Sequence, residues 1–286
     1  MNRRLVVLAL ALTACGREPE QAKPRPDPTA EQAPVEAEPP PAEPVEPDYS
    51  SFGMPGADEA WSTTSFSAAR KAINAIAKQD KQLLPRDGSP TFARMAEVDH
   101  LRVLAARLEA EQLAGLSLSL GAIHMVYGDQ IRRDPTFERE ALMLTAALIA
   151  VTTRLPVTTV RTVAEAEALR SEPSRLQNLL RYRHGVFEMV SGMLEPAANS
   201  VLPRGVACEQ LVRVIDDAAP LLLEEERASL RTRVQACEGA EPGVVETLER
   251  ALEAEAPSAA LVTALLAEHR EFSSRSGDRA ESAAAK

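Results

Sequence analysis

Residues 112–127 read QLAGLSLSLGAIHMVY, and residues 141–153 read ALMLTAALIAVTT. His124 is the one titratable acid or base of the ordinary charged types in the first stretch, and the second has none. Each is shorter than the ~20 apolar residues that a spanning helix needs. The first also carries Gly115, Gly121 and two serines. Together they read as a pair of central helices buried by others, with small residues that permit close helix approach.

Working outward, the apolar spacing is three and four. Leu101, Leu104 and Leu108 share a face, as do Leu176, Leu179, Leu180, Phe187, Val190 and Leu194. Leu223, Leu230, Val234 and Cys237 form another stripe, and Val244, Leu248 and Leu252 a further one. Prolines punctuate the pattern. Ser89-Pro90, Asp134-Pro135, Glu241-Pro242 and Ala256-Pro257 each precede an apolar-periodic run, where proline suits the first helical turn and a Ser or Asp before it can cap. The spacing predicts helices near 59–83, 90–114, 116–132, 135–154, 159–170, 174–194, 204–217, 221–237, 242–255 and 258–273. Thr158 or Thr159 reads as an N-cap, and Glu224 to Glu226 as an acidic first turn favoured by the helix dipole. The expected fold class is all-α: a multi-helix bundle of about nine or ten helices over 49–273, with a frayed tail at 274–286.

Composition narrows function. The 286-residue chain has 32 Lys+Arg against 42 Asp+Glu, a net charge of -10, which argues against nucleic acid as partner. Aromatics make up 3%, too few for an extended stacking platform for sugars or bases. Low glycine and an apolar set built from Ala and Leu argue against an all-β or dinucleotide-binding fold.

The N-terminus is organised differently. Met1 to Arg4 is short and basic, Leu5 to Leu12 is an unbroken apolar run, and Thr13 and Ala14 are small before Cys15. That is a signal-peptide layout over 1–14. Leu12-Thr13-Ala14-Cys15 resembles the lipobox of bacterial lipoprotein precursors, a likeness covering about the first sixteen residues. The resemblance implies cleavage before Cys15, diacylglycerol on its sulfur and an acyl group such as palmitate on its amine. Gly16 in place of an aspartate favours the outer membrane over the inner. Between Arg17 and Asp48 lie ten of the 21 prolines, with nine acidic and three basic residues and no Leu, Ile, Met or aromatic. Residues 15–48 therefore read as a lipidated cysteine and a disordered Pro/Glu-rich spacer.

Candidate chemistry is sparse. Nothing resembles GxSxG, GxxxxGK[ST], GxGxxG, HExxH or a CxxC pair. Glu97 and His100 are three apart, and His184 and Glu188 four apart, spacings that put each pair on one helix face. A carboxylate-bridged di-iron bundle wants two Glu-x-x-His pairs, and only one is present, so a hydrogen-bonded histidine at a core edge competes with a metal site. Arg175, Arg181, Arg183 and His184 concentrate positive charge within ten residues. They read either as an anion site for a phosphate, lipid headgroup or acidic partner, or as a solvated face balanced by Glu172 and Glu188. Cys208 and Cys237 both point inward from consecutive helices joined by a turn near Pro220, and an oxidising envelope would permit a disulfide between them. The alternative is two buried thiols.

The functional expectation is a lipid-anchored cell-envelope protein with a non-catalytic binding or scaffolding domain, no cofactor, and an envelope protein as partner. Two alternatives stand beside it. One is a helical metal-dependent enzyme or sensor; the other is a carrier of an apolar ligand between the uncharged helices.

Overall fold

The computed structural model describes residues 47–268, apart from 57–58, 80–82, 196–199 and 238. Among these residues every regular element is helical. The signal segment, Cys15, the spacer up to residue 46 and the tail at 274–286 lie outside the described residues.

The α-helices, in chain order, are α1 (Thr63–Gln79), α2 (Pro90–Met95), α3 (Val98–Ala105), α4 (Ala110–Ile131), α5 (Glu138–Thr152), α6 (Val163–Arg170), α7 (Pro173–Leu194), α8 (Arg204–Val212), α9 (Ile215–Ala218), α10 (Glu224–Val234), α11 (Val244–Glu253) and α12 (257–268). The single helix expected over 90–114 is instead α2, α3 and the start of α4. Two caps make the breaks. The Glu97 carboxylate accepts from the backbone N–H of Asp99 and His100, so α3 starts afresh. Glu109 and Gln112 form a capping box that starts α4. The helix expected over 204–217 likewise divides into α8 and α9. Proline caps hold where expected at Ser89, which accepts from Phe92 N at 3.0 Å. The N-cap of α6 is Thr162, not Thr158 or Thr159. Thr162 and Glu165 close a capping box there, while Pro156–Thr158 winds into a 3-10 turn.

The core explains why α5 carries so little charge. Ala141, Leu144, Ala147 and Val151 of α5 pack into one cluster with α1, α2 and α4. Ala146, Ile149 and Ala150, on the other side, pack into a second cluster with α7 to α11. A helix with a hydrophobic core on both flanks must be apolar nearly all round. A third, smaller cluster joins α6, the first half of α7 and α12 through Leu169, Leu176, Leu179, Val262 and Leu265.

Buried arginines knit the segments together. Arg183 is 1% exposed. It donates through Nε to Thr158 O at 2.8 Å, through Nη1 to Leu221 O at 3.2 Å, and through Nη2 to Ser258 Oγ at 2.5 Å. Arg227 donates from Nε to Leu252 O at 2.8 Å and also bonds Ala254 O, satisfying carbonyls at the end of α11 that the helix leaves open. Asp217 of α9 receives Arg102 at 2.8 Å and Arg154 at 3.0 Å. The buried Tyr127 hydroxyl donates to Pro85 O at 2.6 Å, and burial pushes its phenol well above its usual range.

Candidate functional site: an apolar groove between α4 and α7

Helices α4 and α7 each pack on α5, and a groove opens between them. On α4, Leu113, Leu116, Leu120, Ile123 and Tyr127 are buried. The other face of the helix, Ala114, Leu118, Gly121, Met125 and Gly128, repeats at the same helical spacing and lines the groove. Leu118 is 66% exposed and Met125 65%, so nothing in the described domain covers this stripe. Across the groove α7 presents Tyr182, Gly185, Met189 and Gly192. Leu148 and Thr152 of α5 form part of the floor at one end, and Ala141, Leu142 and Thr145 at the other.

The groove has two parts, of about 760 Å³ and about 450 Å³, both lined by His124 and Met189. The expectation that α4 is buried like α5 is therefore corrected. An uncharged helix need not be a covered one, because hydropathy does not record which side a neighbour occupies.

The glycines correct a second expectation. Added Cβ atoms at Gly121, Gly128, Gly185 and Gly192 would meet nothing within 4 Å. These glycines do not serve close helix packing among the described residues. Each costs its helix roughly 1 kcal/mol relative to alanine. What their size achieves is a wide groove, and on each helix they stand seven residues apart, two turns, on the groove side.

The polar groups on the groove floor are engaged, while Glu188, Glu195, Arg204 and Arg233 stand around its α8 end. His124 Nε2 lies 2.9 Å from Thr145 Oγ1, which itself donates to Ala141 O at 2.8 Å. The single threonine proton is thus committed, so Nε2 carries the hydrogen and donates. Burial pulls the His124 pKa below its ordinary value, favouring the neutral ring. Ser117 Oγ and Thr152 Oγ1 pair at 3.3 Å. At the α8 end, Glu138 ties down the wall by accepting from Ser200 Oγ at 2.5 Å, Val201 N at 2.8 Å and Leu202 N at 3.1 Å.

The same wall contains Cys208 and Cys237, whose sulfurs are 2.08 Å apart with Cα atoms at 6.0 Å, the geometry of a disulfide. The pairing does not arise from a simple hairpin about Pro220. Cys237 follows the end of α10, and α8 reaches it because Gly205 lets the chain at Gly239 and Ala240 pass close by.

The four residues weighed as metal ligands do not form one group. Glu97 caps α3 and pairs with Arg213 at 3.3 Å, and His100 lies on the same helix. His184 pairs instead with Glu188 at 3.5 Å and Glu226 at 3.7 Å. Among the described residues no set of three or more His, Cys, Asp or Glu is arranged to hold a metal ion.

The basic run of α7 also disperses. Arg183 turns inward, where three acceptors occupy it and burial pushes its pKa down to about 10. It is therefore no part of a surface anion site. His184 stacks near Phe187 beside its two carboxylates. Arg181 lies at the edge of the apolar groove, its guanidinium 5.5 Å from the centre of the Tyr182 ring. Arg175 joins Arg154 and Arg161 around a separate polar pocket.

The chain matches no family model, no curated protein and no solved structure. The groove therefore has to be read on its own geometry. Sequence reasoning offered an apolar ligand between the uncharged helices as an alternative but did not find this groove with α7, for a definite reason. Its signal, paired glycines two turns apart on two helices facing exposed Leu118 and Met125, appears only once the helices are set beside each other.

Proposed function

We propose that this chain is a lipid-anchored protein of the cell envelope, favouring the outer membrane, whose helical domain is a non-catalytic module that binds an elongated apolar ligand in the α4–α7 groove. The observation that carries the ligand reading is the uncovered groove itself. Its two parts fall in the size range of small-molecule sites, ~300–1,000 Å³, and its lining surface is mainly apolar, with most of the charged side chains gathered at the α8 end. Exposed apolar stripes of this extent usually mark a surface that something covers. The absence of a recognisable catalytic motif in the sequence supports a module that binds rather than reacts. The anchor rests on Leu12-Thr13-Ala14-Cys15 and the basic and apolar residues before it. An anchored carrier on a proline-rich spacer would stay near membrane lipid while its domain samples the space around it.

Titration of the full chain carrying Cys15→Ser with the neutral fluorescent probe N-phenyl-1-naphthylamine tests the groove. Saturable binding is expected, weakened roughly tenfold or more by Gly121→Leu with Gly192→Leu, since these side chains extend into the open space. Unchanged binding by a folded double variant would overturn the reading. Mass spectrometry of the chain isolated from membranes tests the anchor, and a mature N-terminus at an acylated Cys15 is the expected result.

A further inference from the structure

We propose that the groove's ligand is an anionic amphiphile, its chain lying between α4 and α7 and its phosphate monoester headgroup held by Arg154, Arg161 and Arg175. This rests on the apolar-groove reading above and adds a polar pole to it.

At the end of the groove marked by Tyr182 and Arg181, the wall is the turn containing Pro156 and Val157. The same two residues wall a second pocket of about 370 Å³ whose lining is predominantly polar. Three arginines from three places in the chain reach this second pocket: Arg154 after α5, Arg161 before α6, and Arg175 in the first turn of α7. They are brought together because α7 packs on the Pro156–Thr158 turn and on α6. In a chain of net charge -10 such a convergence of guanidinium groups stands apart from the general surface.

The guanidiniums are only partly used. Arg154 gives Nη2 to Asp217 at 3.0 Å. Arg175 reaches Glu172 through Nη1 at 3.5 Å, an exposed and weak pair. The Arg161 side chain makes no hydrogen bond or salt bridge with the described residues. Glu165 is the carboxylate on the pocket wall, and it is already engaged. One oxygen accepts from the backbone N–H of Arg161 at 2.6 Å and of Thr162 at 3.2 Å, which is its task in capping α6. Those backbone bonds come first in holding its carboxyl below the usual range, and the charges of Arg161 and Arg175 add to them. Against Asp217, which Arg154 shares with Arg102, the weakly held Glu172 and the backbone-committed Glu165, the three guanidiniums keep donors free for a ligand, those of Arg161 above all. Guanidinium forks match the spread oxygens of a phosphate, which can take a donor from each side.

The neighbouring pockets thus have complementary demands: a long apolar one, and a cationic one across the Pro156–Val157 turn. A single molecule whose hydrocarbon chain passes over the exposed Pro156 to a phosphate head meets both. A partner helix would fill the groove but would not by itself call for the arginine pocket.

Binding of 1-oleoyl-lysophosphatidate and of 1-oleoylglycerol to the full Cys15→Ser chain separates the two poles, because the ligands share the chain and differ by the phosphate. The phosphate ligand is expected to bind roughly tenfold tighter or more, with the difference shrinking as salt is raised. Arg161→Gln with Arg175→Gln should bring the ratio towards unity and leave 1-oleoylglycerol affinity in place. Equal affinities in the unaltered chain would overturn the headgroup assignment and leave the groove reading standing. Inorganic phosphate binding as tightly as the lysophosphatidate would also overturn it, marking a free-anion site. Failure of both oleoyl ligands to bind would overturn the groove reading and this assignment with it.

Discussion

An added Cβ at Gly205 would sit 2.4 Å from Ala240 N and 2.5 Å from the carbonyl carbon of Gly239, with backbone as the obstacle. Backbone cannot swing aside as a side-chain tip can. Gly205→Ala should therefore push α8 away from the 239–240 segment and destabilise the domain by about 1–3 kcal/mol. Gly128 and Gly185 pose the opposite case. Both sit inside helices, and both would point a methyl into open space. Gly128→Ala and Gly185→Ala should each stabilise by about 0.5–1 kcal/mol, because alanine gives up less backbone entropy on folding. Thermal melting resolves the two directions, at roughly 2–4 °C per kcal/mol for a domain of this size. A neutral Gly205→Ala, or a destabilising change at both groove glycines, would contradict these assignments. None of this is legible in the sequence, where the glycines look alike. Their roles depend on what stands across from them, and that neighbour is distant along the chain.

Elements were legible to the extent that their signals are local. The charge-free run 141–153 revealed α5 because a helix flanked by two cores has no room for charge on either side. Ser89 could be placed as a cap because the proline after it fixes the local backbone. The breaks near 97 and 109 were missed because Glu97 and Glu109 are ordinary helix formers that act as caps here. The basic run of α7 was misread at Arg183 for a related reason. Charge in a sequence says nothing of the carbonyls that tertiary packing brings to it. Arg183 joins α7 to the Pro156–Thr158 turn, to the segment before α10 and to α12. Removing it leaves three buried or half-buried acceptors without this partner. Arg183→Ala should cost about 3–5 kcal/mol. Arg183→Lys should recover little of that, since one ammonium on a flexible stem cannot reproduce a planar fork aimed at three acceptors. Urea unfolding midpoints decide the point, and a lysine variant as stable as the unaltered chain would show that charge alone matters there.

Across the whole molecule, two of the three cores share α5, while the groove runs along the seam where α4 and α7 fail to close over it. The inward placement of Cys208 and Cys237 was legible from their apolar neighbours at helical spacing. The route between them was not, because α9 and a 3-10 turn intervene and the contact depends on Gly205. The cross-link spans a sequence separation of 29 and forms part of the groove wall near α8. Closing a loop of that length restrains the unfolded chain by about 3.5 kcal/mol in the chain-entropy account. Reduction of the Cys15→Ser chain should therefore lower its melting temperature by on the order of 10 °C. It should also weaken binding of the neutral probe, since the wall at Ala207, Cys208 and Cys237 is then held by packing alone. Glu138, which fixes Ser200 to Leu202 independently of the sulfurs, should keep part of the site in place. The expected change is thus a weaker affinity rather than its complete loss. Thiol labelling of the denatured, unreduced Cys15→Ser chain should find no free thiol, with both appearing after reductant is added. Two reactive thiols before reduction would show that the pair is not bonded, and the predicted redox dependence of both stability and binding would fall together.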